Sequence, residues 1–371
     1  MDHLQVSDVR KIAVLRTNQG VGDLLVCLPA IRSLKAAYPH AEIVWLGLSW
    51  HERFLCDRPT GIDRLIEVPP SLQLRNLNQK MDRDETAFFE DLRREAFDIA
   101  INFQAEEDLS YYILQQLNAR CIIGQSMSLR QLYDRSIPYT YYQHEIIRHI
   151  HLVRLLGAND ITLSPTIELH NWEKEEAERL ILELAMEKPF VLLHPGATDM
   201  RRRWPTSKFA TVADELIEKG FDILLAGDER DAPIIQDVIQ QMNGKAYVLY
   251  DGIALGVLAA LHTLSQLVIS NDTGPLHLAR SVSCPTIGLY WAPNVINWGP
   301  LNQDRHIQLI SWDLPCPSCG MIPNRPYPFE PKSAQCQHLH SFIRTIAVAD
   351  VLDAAHRLLF TARPYVNQIG C

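Results

Sequence analysis

"KIAVLRTNQGVGDLLVCLPAIRSLKAAYPHAEIVWLG" (Lys11–Gly47) decides the fold. An apolar run, "KIAVLR" (11–16), ends in a polar turn that contains glycine; a helical pattern over about 23 to 37 follows, and then a second apolar run, "EIVWLG" (42–47). Short apolar strands joined through a helix are the signature of a βαβ unit, whose parallel strands are buried on both faces. Working outward, the alternation continues through "RLIEVP" (64–69), an acidic helix near 85–95, "FDIAINF" (97–103), a helix near 108–118 and "RCIIG" (120–124). It begins afresh after "LSPTIEL" (163–169) and the charged helix "NWEKEEAERLILELAME" (171–187). There it runs "FVLLHPG" (190–196), a helix near 206–219, "FDILLAG" (221–227), a helix near 231–241 and "AYVLY" (246–250). "LGVLAALHTL" (255–264), "QLVIS" (266–270), a helix from 275 and "TIGLY" (286–290) complete it. The pattern predicts an α/β protein with two open parallel sheets, the carboxyl ends of the strands lining a ligand cleft between the domains.

Composition agrees with two domains, since 371 residues at 47% hydrophobic content can fill two cores. The formal net charge of −9 and the lack of a long basic run exclude nucleic acid as the expected partner. No apolar run approaches the roughly 20 residues that span a bilayer. The opening "MDHLQVSDVRKIAVLR" carries charges where a signal peptide would be apolar, so a cytoplasmic location is expected. Cys27, Cys56, Cys121 and Cys284 stand singly in apolar or turn contexts, as reduced thiols do.

Four strand ends are unusually polar or rich in glycine: Arg16 to Asp23, His194 to Arg203, Gly227 to Glu229, and Ser270 to His277. In the last, "VISNDTGPLHLAR" (268–280), a strand turns into a helix. One reading is capping, with Asp272 as the N-cap ahead of Pro275. The other is a phosphate site, because a helix start offers free N–H groups and partial positive charge, Gly274 permits close approach and Thr273 adds a hydroxyl. Thr273 and His277 are four apart and share a helix face. In "HPGATDMRRRWP" (194–205), His194-Pro195-Gly196 makes a tight exit, Thr198 offers a hydroxyl, and Arg201 to Arg203 supply cations. One of the three suits a departing diphosphate, and a solvated basic loop is the alternative for the rest. Asp23, just after Gly22, is either an N-cap or a carboxylate that accepts a proton from a substrate hydroxyl. The Gly-x-Gly turn there lacks the third glycine of a dinucleotide fingerprint.

Three stretches, "IAVLRTNQGVGDLLVCLPAIRSLKAAYPHAEIVWL", "HPGATDMRRRWPTSKFATVADELIEKGFDILLAG" and "SQLVISNDTGPLHLARSVSCPTIGLY", resemble in order the signature regions of the heptosyltransferase family, glycosyltransferase family 9. The resemblance implies a GT-B fold of two Rossmann-like domains: an acceptor-binding domain over 1–168, a nucleotide-sugar domain over 169–345, and a C-terminal helix over 346–371 that can cross back to the first. It implies inverting transfer of a heptose or related sugar from an ADP-sugar donor to a lipopolysaccharide-core or similar glycan or glycolipid acceptor. No catalytic metal or cofactor is required, and peripheral contact with the cytoplasmic face of the inner membrane is implied. Carried onto this sequence, it makes Asp23 the general base and Arg202 the catalytic cation; family members place a lysine two residues before the tryptophan, where this chain has Arg202. It makes His194, Gly196, Thr198, Asp228, Glu229, Asp272, Thr273, Gly274 and His277 donor contacts.

Inverting transfer needs a base and a departing diphosphate on opposite faces of the sugar, and protein cations with N–H dipoles can do a metal's task. Two other readings share the architecture: a nucleotide-sugar epimerase acting on the donor alone, and a non-catalytic scaffold that binds a nucleotide sugar. Asp23 argues against the scaffold, which has no need of a carboxylate there. Cys316-x-x-Cys319, followed by Cys336, His338 and His340, offers the ligands of a structural zinc site. The second half is not a clean C-x-x-C pair, and reduced thiols are the alternative.

Overall fold

The computed structural model describes residues 8–73, 83–104, 108–126, 132–250, 252–323 and 336–361. The chain forms two compact units, Met1–Glu168 and Leu169–Cys371. Among the described residues the first holds strands β1 (Lys11–Leu15), β2 (Glu42–Gly47), β3 (Arg64–Glu67), β4 (Ile99–Asn102), β5 (Cys121–Ser126) and β6 (Arg135–Pro138). The second holds β7 (Phe190–His194), β8 (Asp222–Gly227), β9 (Tyr247–Tyr250), β10 (Leu267–Asn271), β11 (Thr286–Trp291) and β12 (His306–Ser311). The two orders are β3-β2-β1-β4-β5-β6 and β12-β11-β10-β7-β8-β9, and every pairing is parallel. Counting strands within each unit, both sheets have the doubly wound order 3-2-1-4-5-6. Each therefore reverses direction once, between β1 and β4 and between β7 and β10.

The continuous apolar runs follow from burial on two sides. In β7, Val191 and Leu193 pack with Trp204, Phe209, Val212 and Leu216, while Phe190 and Leu192 pack on the opposite face with Ala177, Val257 and Leu261. β8 divides in the same way, Ile223 and Leu225 to the first layer, Leu224 and Ala226 to the second. A strand whose alternate residues all meet helices can carry no polar face. Truncating Leu193 to alanine there should cost about 2–5 kcal/mol.

The structure splits the helix expected over 23–37 into Val21–Leu25 and Leu28–Ala37. Pro29 sits in the first turn of the second helix, where its missing N–H cannot reach back to Leu25. Edge strands β6 and β12 join the sheets beyond the strands expected from apolar runs. Residues Val348–His356 form a helix, continued by Arg357–Thr361, and Val351, Ala354 and Ala355 pack into the second unit's core; residues 362–371 lie outside the described residues. Among the described residues no helix is long and apolar enough to cross a membrane.

Candidate active site

At the reversal point of the first sheet, the chain leaves β1 through Arg16 and Thr17 beside the exit of β4 through Phe103 and Gln104. Gln104 Oε1 accepts from both the Thr17 N–H (2.9 Å) and hydroxyl (2.8 Å), tying the two strand ends together. Arg16, only 4% exposed, donates through Nη1 to the Phe103 carbonyl and through Nη2 to Asp23 Oδ1 at 2.9 Å. Burial opposes its charge, yet the carboxylates of Asp23 and Glu145 around it hold the guanidinium above its ordinary value. Burial in turn pushes the Cys27 thiol up to about 12, so it remains a thiol and donates to the Asp23 carbonyl at 3.2 Å. Burial likewise raises Glu145, against the pull of Arg148 and Arg16.

Asp23 is the third residue of the helix Val21–Leu25, whose N-cap is Gly20 with no side-chain cap bond. The N-cap reading of Asp23 is thus corrected: its carboxylate turns to Arg16. Oδ1 is taken by the guanidinium, while Oδ2 accepts no hydrogen bond among the described residues and lies where a Gly20 Cβ would be 2.5 Å away. The arrangement fixes one carboxylate oxygen and leaves the other without a hydrogen bond among the described residues.

The reversal point of the second sheet lies between β7 and β10, where Ser270 pairs with His194. Asn271, at the end of β10, is buried; its Nδ2 donates to the Pro195 carbonyl (2.8 Å) and its Oδ1 accepts from the Trp204 N–H (3.1 Å). One side chain therefore pins both ends of the loop that carries the three arginines. Within it, Arg201 pairs with Asp199 at 2.8 Å and Arg203 donates from Nε to the Ala197 carbonyl at 2.7 Å, so these two half-buried side chains brace the loop. Of the three, Arg202 reaches the residue that follows β10: its Nη1 donates to the Asp272 carbonyl (3.0 Å) and lies 3.8 Å from the Asp272 carboxylate.

Asp272 is not the N-cap either. It is 2% exposed, with Oδ2 accepting from Asn294 Nδ2 (3.0 Å) and Oδ1 facing His277 Nε2 (3.7 Å). Burial would raise its carboxyl, but His277, Arg202 and Asn294 together hold it below the ordinary carboxylate value. Arg280 donates to His277 Nδ1, and since a guanidinium cannot accept, Nε2 of that ring carries the proton turned toward Asp272. Thr273 occupies the N-cap position of helix Gly274–Ser281 in extended backbone and makes no side-chain cap bond; its hydroxyl lies 3.3 Å from the Asn271 carbonyl and 3.4 Å from Ser270 Oγ. Thr273 and Gly274 are half-buried and Thr198 is exposed. A cation, a hydroxyl and the start of an eight-residue helix thus meet at the reversal point, a combination suited to an anion.

Other expected contacts look elsewhere. His194 donates from Nδ1 to the Ala226 carbonyl (2.9 Å) and accepts at Nε2 from His262 (3.0 Å), which commits both nitrogens to the interior. His194 is therefore an anchor for the strand end, both ring nitrogens being engaged by the protein. Asp228 caps the turn Glu229–Asp231 and pairs with Arg230, whose hydrogen bond holds its carboxyl low; Glu229 is exposed. Gly196 earns its place by close approach, since a Cβ there would lie 2.1 Å from Asp231 Oδ1. The expectations from sequence missed Asn271, Asp231, Arg280 and Asn294, whose roles depend on partners far along the chain. The conjunction of apolar strand and polar end was their available signal.

Comparison with known proteins agrees with this architecture. The family model described as glycosyltransferase family 9 (heptosyltransferase) matches residues 85–324. Lipopolysaccharide heptosyltransferase 3 of Escherichia coli is 24% identical over 349 residues, covering 91% of this chain and 96% of that one. Lipooligosaccharide heptosyltransferase 2 of Haemophilus influenzae is 24% identical over 314 residues, covering 79% and 87%. Among solved structures, the glycosyl transferase family 9 protein of Veillonella parvula superposes with a TM-score of 0.77 at 23% identity, covering 97% of this chain and 99% of that one. E. coli ADP-heptose lps heptosyltransferase II gives 0.70 at 19%, covering 95% and 99%, and E. coli heptosyltransferase WaaC with ADP gives 0.59 at 19%, covering 81% and 91%. The shared fold is the two-domain α/β GT-B fold.

Proposed function

The chain belongs to glycosyltransferase family 9, the heptosyltransferase family, and is a glycosyltransferase; from that premise we propose that it transfers a heptose from an ADP-activated donor to a hydroxyl of a lipopolysaccharide-core glycan, with inversion. The observation that carries the donor half is the position of Arg202, bonded to the Asp272 carbonyl at 3.0 Å beside the uncapped start of helix Gly274–Ser281. The names of the relatives, and the ADP in the solved WaaC structure, support the choice of sugar and nucleotide.

In the proposed reaction, Asp23 Oδ2 accepts the proton of the acceptor hydroxyl, whose oxygen attacks the anomeric carbon as the bond to the diphosphate breaks. Arg202, the Thr273 hydroxyl and the Gly274 N–H receive the charge that collects on departing ADP. Asp272 serves as a positioning residue, because a buried carboxylate against a diphosphate would repel it; it holds Arg202 and His277 in place. Protein cations suffice for this step, so the reading assigns no metal to it. The acceptor glycolipid would bring the protein to the cytoplasmic face of the inner membrane.

Incubation with a panel of nucleotide sugars, with and without a lipopolysaccharide-core acceptor, tests the reading through released ADP and the mass of the glycan. ADP and a heptose-extended acceptor, formed only when ADP-heptose and acceptor are both present, is the expected result. Conversion of the donor without acceptor would instead indicate an epimerase, and binding without turnover a scaffold.

A further inference from the structure

We propose that Cys316, Cys319, Cys336 and His338 form a structural zinc site that holds the Arg202 loop from behind. The four residues each bring one ligand atom, all within 4.8 Å of one another. Cys319 Sγ and Cys336 Sγ are 3.6 Å apart, and Cys336 Sγ and His338 Nδ1 3.9 Å. These are the edges of a tetrahedron around zinc: bonds of about 2.3 Å to sulfur put two ligand sulfurs roughly 3.8 Å apart. A disulfide would instead bring the sulfurs to about 2.05 Å.

The local backbone closes a tight turn around the first two thiols. Gly320, at φ +70°, closes the turn by donating to the Cys316 carbonyl at 2.8 Å, and Cys316 N–H donates to the Met321 carbonyl at 2.6 Å. A residue other than glycine is strained in that conformation. Two thiols bury in the second unit's core beside Trp204, Phe342 and Ile343, while Cys319 and His338 are exposed and give the ion a way in. His340 stands outside the ligand set and bonds Ser318 at 2.7 Å. Binding releases three thiol protons, and three thiolates with one neutral imidazole leave the zinc centre at a net charge of −1.

The site reaches the donor loop through the segment after His338. Phe342 N–H donates to the Arg201 carbonyl (2.8 Å), Ser341 Oγ to the Arg203 carbonyl (2.5 Å), and Trp204 Nε1 to the Ile346 carbonyl (3.0 Å). The residues on both sides of Arg202 are thus fixed by a strap whose beginning the zinc would fasten to the turn after β12. Only this coupling rests on the donor reading of Arg202; the metal site stands on its ligands.

The test uses the full chain purified without chelator, with metals measured by plasma mass spectrometry. One zinc per chain is expected, falling below about a fifth of that in Cys319→Ser and in His338→Ala, both at exposed positions, with far-ultraviolet circular dichroism retained. Cobalt replacement should give the thiolate charge-transfer band and intense d–d bands of a tetrahedral site. Removing zinc under reducing conditions should lower Tm and weaken ADP binding about tenfold, with recovery on adding zinc. Substoichiometric zinc after growth in zinc, stoichiometric iron in its place, a Cys319–Cys336 disulfide in freshly purified protein, or full zinc in both variants would each overturn the site. Zinc loss with unchanged ADP affinity would overturn the coupling to Arg202, whereas failure of the zinc-loaded protein to bind ADP would overturn the donor reading instead.

Discussion

Arg16 Nη2 lies 2.9 Å from Asp23 Oδ1, and this bond joins a guanidinium sealed beneath the first sheet's reversal point to a carboxylate that is a quarter exposed. Arg16 is itself held by the Phe103 carbonyl, so the pair has one fixed member and one that can touch a substrate. The relation assigns the carboxylate its direction without occupying its second oxygen.

Asp23→Asn should therefore lower turnover by about 10²–10⁴, the usual range for a lost general base, with ADP affinity unchanged. The amide oxygen can still accept from Arg16, but the buried cation loses its counter-charge, so Tm should fall by a few degrees as about 1–3 kcal/mol is lost. Single-turnover ADP release measures the first effect and thermal melting the second. Near-normal turnover would remove Asp23 from the chemistry.

Arg202→Ala should weaken ADP binding about 10- to 100-fold, because a charge-assisted contact to phosphate contributes about 1.5–3 kcal/mol. Arg201→Ala and Arg203→Ala should change it less, since their guanidinium groups are engaged with Asp199 and the Ala197 carbonyl. Titration calorimetry on the three variants compares them directly. Equal losses would mean that the cluster acts through its summed charge and that no single arginine is singled out.

What could be read from sequence, and what could not, follows from the range of the interactions involved. The central strands β1, β4, β7 and β10 are buried on both faces and announce themselves as apolar runs. β6 is only "RSIP", with alternate residues exposed, and β12 is "HIQLIS", half-buried nearly throughout; edge strands have fewer neighbours to demand apolar side chains. The polar strand ends were visible as composition, yet their division of labour was not. Residue type makes Asp272 a good cap and His194 a good ligand; only the fold shows that the first is consumed by His277, Asn294 and Arg202, and the second by Ala226 and His262. Asn271 bonds Pro195 from 76 positions away, a contact that no local pattern encodes.

The buried histidines set an acid limit. Burial holds His194 neutral down to about 4 and pushes His262 well below its ordinary value of 6.5, and His306 is likewise held to about 4. Unfolded, these rings titrate near 6.5, so below that pH the unfolded chain binds protons that the folded one refuses. Their stability contribution is full above 6.5, falls as pH drops toward 4, and levels off once the folded rings protonate. Each ring costs about 1.4 kcal/mol per pH unit in that window. Urea unfolding at about pH 7 and pH 5 should show a clear fall in midpoint, and equal midpoints would contradict the neutral assignment.

Thr273→Val separates a helix start from a phosphate cradle. The substitution keeps shape and removes a hydroxyl that makes no cap bond and, among the described residues, meets the Asn271 carbonyl and Ser270 Oγ at 3.3 and 3.4 Å. Stability should therefore change little, because neither long contact satisfies an orphan N–H of the helix. If the hydroxyl donates to the diphosphate, its loss leaves a charged oxygen one donor short, at a cost of about 1–3 kcal/mol. ADP should then bind about 5- to 100-fold more weakly at nearly unchanged Tm. His277→Ala should also weaken binding, but with a fall in Tm, since it opens a space beside Trp298 and strips the buried Asp272 of a partner. The pair of variants thus distinguishes direct contact from support: lower affinity alone for Thr273→Val, lower affinity with lower Tm for His277→Ala. Calorimetric titration of ADP decides between the readings, for an affinity in Thr273→Val equal to that of the unaltered protein would make the turn a strand-to-helix junction and nothing more.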